Sequence, residues 1–144
     1  MSSGDGDDLA RDVLRHLNGV VHAMQDHISA LASEFELTPS QLDALKNLEE
    51  PCSQRQLAQC LHFDASNVTD IVDRLEQRGL VSRTIDPTDR RIRRLVLTDK
   101  GEAVRHELFD RVITQAPLNA LNTAEQVRLR NLLAKIAPPL DLPF

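Results

Sequence analysis

The sequence predicts a mostly α-helical chain with one small β-hairpin, an α+β class in which the strands are the minor part. Three observations carry this. Apolar residues recur at three- and four-residue steps through most of the chain. Helix-start signals of the Ser/Thr-x-x-Gln/Glu kind recur between them. β-Favouring sequence flanking a turn is confined to residues 80–97.

Leu9, Val13, Leu17, Val20, Met24, Ile28 and Leu31 share one face of a long amphipathic helix over roughly residues 7–34. Gly19 lies inside it. A mid-helix Gly costs about 1 kcal/mol relative to Ala, which close approach of another helix would offset. Thr38-Pro39-Ser40-Gln41 starts the next helix, with Thr38 as cap, Pro39 at the first position and Gln41 closing a capping box. That helix carries Leu42, Leu45 and Leu48 and stops before Pro51. Ser53-Gln54-Arg55-Gln56 is a second capping box, opening a short helix with Leu57, Ala58 and Leu61 on its apolar side. After a turn at His62-Phe63, Asp64 caps a helix with the stripe Val68, Ile71, Val72 and Leu75, which Gly79 ends.

The chemistry then changes. Leu80–Ile85 and Ile92–Leu97 read as strands around the turn Asp86-Pro87-Thr88-Asp89, with Arg90 and Arg91 near the hairpin tip. Thr98 caps a long helix bearing Val104, Leu108, Val112 and Ile113, which ends near Pro117. Thr123 caps a last helix bearing Val127, Leu132, Leu133 and Ile136, and the tail from Pro138 to Phe144 is proline-rich.

Composition narrows the function classes. Of 144 residues, 41% are hydrophobic and 27% charged, the balance of a soluble globular chain of about one domain. No apolar run exceeds three residues, too short for a transmembrane helix. The acidic start lacks the apolar stretch of a secretory signal, and two cysteines make no disulfide framework, so a reducing cytoplasm is the expected compartment. The net charge of −5 hides an uneven distribution. Residues 1–50 hold 3 basic and 10 acidic side chains, whereas residues 51–101 hold 9 and 7. Arg83, Arg90, Arg91, Arg93 and Arg94 crowd the hairpin. Such local clustering outweighs the global total, because screening cuts repulsion beyond roughly 8–10 Å.

Two short helices joined by a tight turn and followed by an Arg-rich hairpin describe a winged helix-turn-helix. The major groove admits one helix, the first helix braces the second across the backbone, and a hairpin beside them reaches the minor groove, whose potential attracts Arg. On the second helix the face opposite the apolar stripe holds Ser66, Asp70, Asp73 and Gln77, flanked by Asn67, Thr69 and Arg74. Carboxylates repel phosphate, so Asp70 suits a cytosine amino group and Asp73 suits a nearby Arg that braces the wing; solvated surface charge is the plainer alternative for both.

The segment Ala65 to Val81 (ASNVTDIVDRLEQRGLV) resembles the recognition-helix region of the MarR (multiple antibiotic resistance regulator) family, and Asp89, Arg91, Leu97, Thr98 and Gly101 stand where that family carries its wing pattern. The resemblance implies a homodimeric, non-enzymatic DNA-binding regulator, most simply a repressor acting on a near-palindromic operator. Residues 1–37 would form an N-terminal dimerisation helix, 38–100 the DNA-binding lobe, and 101–144 C-terminal dimerisation helices and tail. It places base or phosphate contacts on Ser66, Asn67, Thr69, Asp70, Arg74 and Gln77, supporting contacts on Ser53, Gln54 and Arg55, and wing contacts on Arg90, Arg91 and Arg93. Asp73 and Asp89 would brace the wing. Asp70 departs from the Arg or Gly of some members.

The resemblance also implies a small aromatic acid as effector. Arg15, His16, His22 and His27 on the first helix are the side chains that would meet an anion; exposed polar faces are the alternative. Two other modes of sensing are open. Cys52 precedes a helix N-terminus, which lowers thiol pKa values, but it also occupies a staple position, and Cys60 borders an apolar face as a small buried hydrophobe would. The pairs His22/Asp26 and His106/Asp110 sit one helical turn apart, but no tight His/Cys cluster accompanies them, so no metal or cofactor is expected. No G-x-S-x-G elbow or P-loop is present, and no enzyme is expected. A winged-helix module that binds an acidic protein instead of DNA is the reading from another class.

Overall fold

The structure is a computed structural model that describes residues 3–61, 63 and 65–140. Helix α1 runs from Ser3 to Glu34, starting earlier than the apolar periodicity alone suggests. Asp5, Asp7 and Asp8 fall in its opening turns, where carboxylates suit the helix dipole. Helix α2, Pro39–Lys46, opens on the expected capping box: the Gln41 amide donates to Thr38 Oγ1 at 3.2 Å, and the Thr38 amide to Gln41 Oε1 at 3.0 Å. Helix α3 spans Gln54–Leu61 and helix α4 Ala65–Gln77. The expected Asp64 cap and the His62 side of the turn lie outside the described residues.

Strands β2, Val81–Ile85, and β3, Arg93–Leu97, form the expected antiparallel hairpin, with Val81 opposite Leu97 and Ile85 opposite Arg93. The sheet has a third strand. Strand β1, Cys52–Ser53, pairs with β3 so that Cys52 faces Leu95, giving the order β1-β3-β2. Ser53 serves two structures at once, since its hydroxyl also accepts from the Gln56 amide at 3.1 Å as the cap of α3.

Helix α4 ends in a Schellman motif. Gly79 takes φ +71°, its amide donates to Glu76, and the Leu80 amide donates to Leu75. Helix α5, Asp99–Thr114, is capped by Thr98. A Cβ on Gly101 would lie 1.9 Å from the Leu80 carbonyl oxygen, so this turn of α5 reaches the α4–β2 junction only as glycine. After a 3-10 turn at Pro117–Ala120, helix α6 runs from Thr123 to Ile136. Its cap is Asn122 rather than Thr123, because Asn122 and Glu125 satisfy each other's backbone amides at 2.9 and 2.8 Å.

The core is built by α2, α3, α4, the sheet and α5. Leu42, Leu45, Leu57, Val68, Val72, Leu75, Leu80, Leu95 and Leu108 are fully buried, and only the C-terminal end of α1 joins them, through Leu31 and Ala32. The outer faces of α1 and α6 are different. Leu9, Val13, Val20 and Val21 of α1 are exposed, as are Val127, Leu132, Leu133 and Ile136 of α6. Among the described residues a Cβ on Gly19 would meet nothing within 4 Å, so no helix among them approaches closely enough to compensate that glycine.

Candidate nucleic-acid interface

The apolar stripe of α4 fixes what the helix shows to solvent. Val68, Ile71, Val72 and Leu75 are buried, so Ser66, Asn67, Thr69, Asp70, Asp73, Arg74 and Gln77 are all exposed. The face carries internal pairings. Arg74 Nε lies 3.2 Å from Asp70 Oδ2 one turn back. The Gln54 side-chain amide donates to Thr69 Oγ1 at 2.5 Å, fastening the start of α3 to α4. Ser53 is half-buried and used as a cap, and Arg55 is exposed on α3.

The wing arginines divide into two groups. Arg83 turns back onto α4, donating to Asp73 Oδ1 at 2.6 Å and to Glu76 Oε1 at 2.9 Å. Arg94 donates through Nε to Asp86 Oδ2 at 2.5 Å. Arg90, Arg91 and Arg93 are exposed, and among the described residues none of the three side chains makes an ion pair. The hairpin therefore spends two arginines on its own architecture and leaves three at its tip.

Asp86 organises that tip. Its Oδ1 accepts from the Thr88 hydroxyl at 2.6 Å, the Thr88 amide at 2.7 Å and the Asp89 amide at 3.3 Å. The side chain is buried, and these bonds, the Thr88 hydroxyl first, hold its carboxyl far below the ordinary value of 3.8, with Arg94 adding to the effect. Asp89 Oδ1 accepts from the Arg91 amide at 3.0 Å, which sets the backbone from which Arg91 projects. Sequence reasoning passed over Asp86 and Glu76. The signal for Asp86 was present, since an Asp opening a turn commonly bonds the amide two residues on.

The effector candidates separate in space. Arg15 and His16 line a mainly apolar groove of about 610 Å³ between α1, the 3-10 turn and α6, with Val20, Ala23, Leu118, Leu121 and Leu129. His22 is not among its lining and lies 3.4 Å from Asp26 on the exposed surface. His27 Nε2 meets the Val112 carbonyl of α5 at 3.3 Å.

The cysteine expectations need correction. Cys60 is exposed, not a buried hydrophobe. Burial, and secondarily Cys60, push the half-buried Cys52 thiol up, opposite to the lowering a helix N-terminus would give. Among the described residues, no three His, Cys, Asp or Glu side chains gather as metal ligands, and no helix is long and apolar enough to cross a membrane.

Residues 37–92, covering α2 to the wing turn, match the MarR family. Over 135 residues the chain is 30% identical to the HTH-type transcriptional repressor MdtR of Bacillus subtilis, spanning 91% of this chain and 87% of that protein. The chain belongs to the MarR family. The crystal structure of YusO from Bacillus subtilis superposes with a TM-score of 0.77 at 28% identity, covering 93% of this chain and 98% of that one. An S. aureus MepR mutant bound to an oligodeoxyribonucleotide shares the fold, with a TM-score of 0.67 at 20% identity over 86% of this chain and 94% of that one. This MarR-family chain is thus a transcriptional regulator of a non-enzymatic family, and the recognition-helix resemblance read from Ala65 to Val81 is correct at the level of family and fold.

Proposed function

We propose that the protein is a dimeric repressor that reads operator DNA with α4 and the wing and is released by a small aromatic acid. The observation that carries the DNA contact is the trio Arg90, Arg91 and Arg93, exposed and, among the described residues, outside any ion pair beside the polar face of α4. In this reading Ser66, Asn67, Thr69, Asp70, Arg74 and Gln77 face the major groove, with Ser53, Gln54 and Arg55 near the phosphates at the start of α3. Arg91 enters the minor groove, Arg90 and Arg93 neutralise phosphates, and Asp73 and Asp89 hold the wing in place.

The exposed apolar faces of α1 and α6 support the dimer. Leu9, Leu14 and Val21 on one helix and Leu132, Leu133 and Ile136 on the other are large apolar side chains left exposed, and clustered exposed apolar groups mark interaction surfaces. A second copy of this chain covers them. Arg15 supplies the charge for a carboxylate and the apolar groove walls take the ring, with His16 beside them; His22 has no part in this site.

The test is fluorescence anisotropy of labelled DNA from upstream of the protein's own gene, against a random duplex, across a salt series. Sequence preference together with a steep loss of affinity at rising salt supports the reading. Equal, weak binding to both duplexes contradicts it for that DNA and favours an acidic protein partner. Benzoate or salicylate added to the same assay releases the DNA if the groove is the effector site.

A further inference from the structure

We propose that Arg74, held by Asp70, reads a guanine in each operator half-site, and that this braced pair sets the base preference of the recognition helix. The inference rests on the reading of α4 as the groove-facing helix.

The chemistry starts from the guanidinium, a planar fork with five N–H donors. Guanine offers two acceptors in the major groove, O6 and N7, and a bidentate contact needs two donors of that fork. Arg74 points Nε at Asp70 Oδ2, 3.2 Å away. Among the described residues its Nη1 and Nη2 make no hydrogen bond or ion pair of their own, which leaves two donors for an end-on bidentate contact. Asp70 lies four residues before Arg74, the order that suits an i,i+4 pair on a helix. A long side chain ordered before DNA arrives loses less freedom on binding.

The other charges on α4 single out this pair. Asp73 and Glu76 are both turned to Arg83 of β2, away from any role as acceptors for bases. Asp70 and Arg74 are the charged side chains of α4 left to the groove, 68% and 62% exposed. A carboxylate on a DNA-facing helix carries a cost against phosphate. That cost falls on every sequence, whereas the bracing helps only where a guanine receives the fork. Asp70 thereby trades non-specific affinity for discrimination and acts as a positioning residue; its second oxygen is an acceptor suited to a cytosine amino group.

The experiment selects bound duplexes from a pool with a randomised core of about 30 base pairs, using the full chain as wild type and as Arg74→Ala, Arg74→Lys and Asp70→Ala, each checked for folding by circular dichroism. Wild type is expected to enrich one guanine per half-site about 5- to 150-fold over other bases. Arg74→Ala and Arg74→Lys bring that position close to parity while the other preferred positions persist. Asp70→Ala keeps a weaker guanine preference yet binds unselected duplex several-fold more tightly, a split that loss of folding would not produce. An unchanged pattern in Arg74→Ala, or a uniform loss across all sequences, overturns the proposal and leaves Arg74 a phosphate contact or a surface charge. A wild type that enriches no sequence overturns the DNA-reading function itself.

Discussion

Arg83 of the first wing strand and Asp73 of the recognition helix meet at 2.6 Å, and the same guanidinium holds Glu76 at 2.9 Å. One side chain therefore fixes the distance between the two surfaces proposed to enter neighbouring grooves. Arg83 is only 21% exposed, but its partners are about half-exposed, so the pairing adds little to global stability. Arg83→Gln is expected to lower stability by at most about 1 kcal/mol in urea unfolding. Its effect on operator affinity should exceed that, because a free wing must be ordered on binding. Equal, small losses in both assays would remove the bracing role.

Asp86 gives the wing a pH limit. Its carboxyl is held far below 3.8 in the folded chain. The stability it contributes is therefore complete above about pH 4 and is lost as pH falls from there through the depressed folded value. Urea midpoints followed by far-ultraviolet circular dichroism, the suitable probe for a chain with no Trp or Tyr, should drop between pH 4 and pH 2. The drop should be shallower in Asp86→Asn. Parallel curves for the two proteins would show that the turn does not depend on this charge.

Gly101 joins the start of α5 to the end of the recognition helix. The Thr98 amide donates to the Leu80 carbonyl at 3.1 Å, and a Cβ on Gly101 would enter that same oxygen. Gly101→Ala is expected to destabilise the chain by about 3 kcal/mol, the upper part of the range for overpacking, because the obstacle is backbone. A change below about 0.5 kcal/mol would mean that α5 can retreat freely.

Arg78, just past the recognition helix, donates to the Phe35 and Glu36 carbonyls, both at 2.7 Å. It thereby secures the turn that leads from α1 into the lobe, where Glu36 takes φ +56°. Arg78→Ala should cost about 1–2 kcal/mol, since bonds from a charged donor are worth more than neutral ones. Glu36→Gly should stabilise by up to about 1 kcal/mol by relieving the left-handed conformation. Thermal unfolding of both variants checks the pair of signs.

The local signals in the sequence were sufficient for most elements. The boxes Thr38/Gln41 and Ser53/Gln56, the stripe Val68, Ile71, Val72 and Leu75, and Gly79 each rest on contacts within a few residues, and the structure has them all. Strand β1 was not legible, because two residues carry no period and Ser53 already reads as a helix cap. Asn122 and Thr123 are both good caps with an acceptor three residues on, so the choice fell to geometry. The clash at Gly101 and the capture of Arg83 by Asp73 and Glu76 are long-range facts. In α1 and α6, periodicity announced an apolar face correctly but not whether this chain or a second copy covers it. The Asp-Pro-Thr-Asp turn gave the hairpin its place without revealing that Asp86, rather than Asp89, carries most of the bonds of the tip.

The most direct test of the account is hydroxyl-radical footprinting of a selected duplex by wild type and Arg91→Ala. The predicted result is two protected regions whose centres lie one helical turn, about 34–36 Å, or a multiple of it apart, with flanking minor-groove protection that disappears in Arg91→Ala. That variant should also lose about 1–3 kcal/mol of binding. A single protected region would contradict the paired half-sites. An unaltered footprint and affinity in Arg91→Ala would contradict a wing seated in the minor groove.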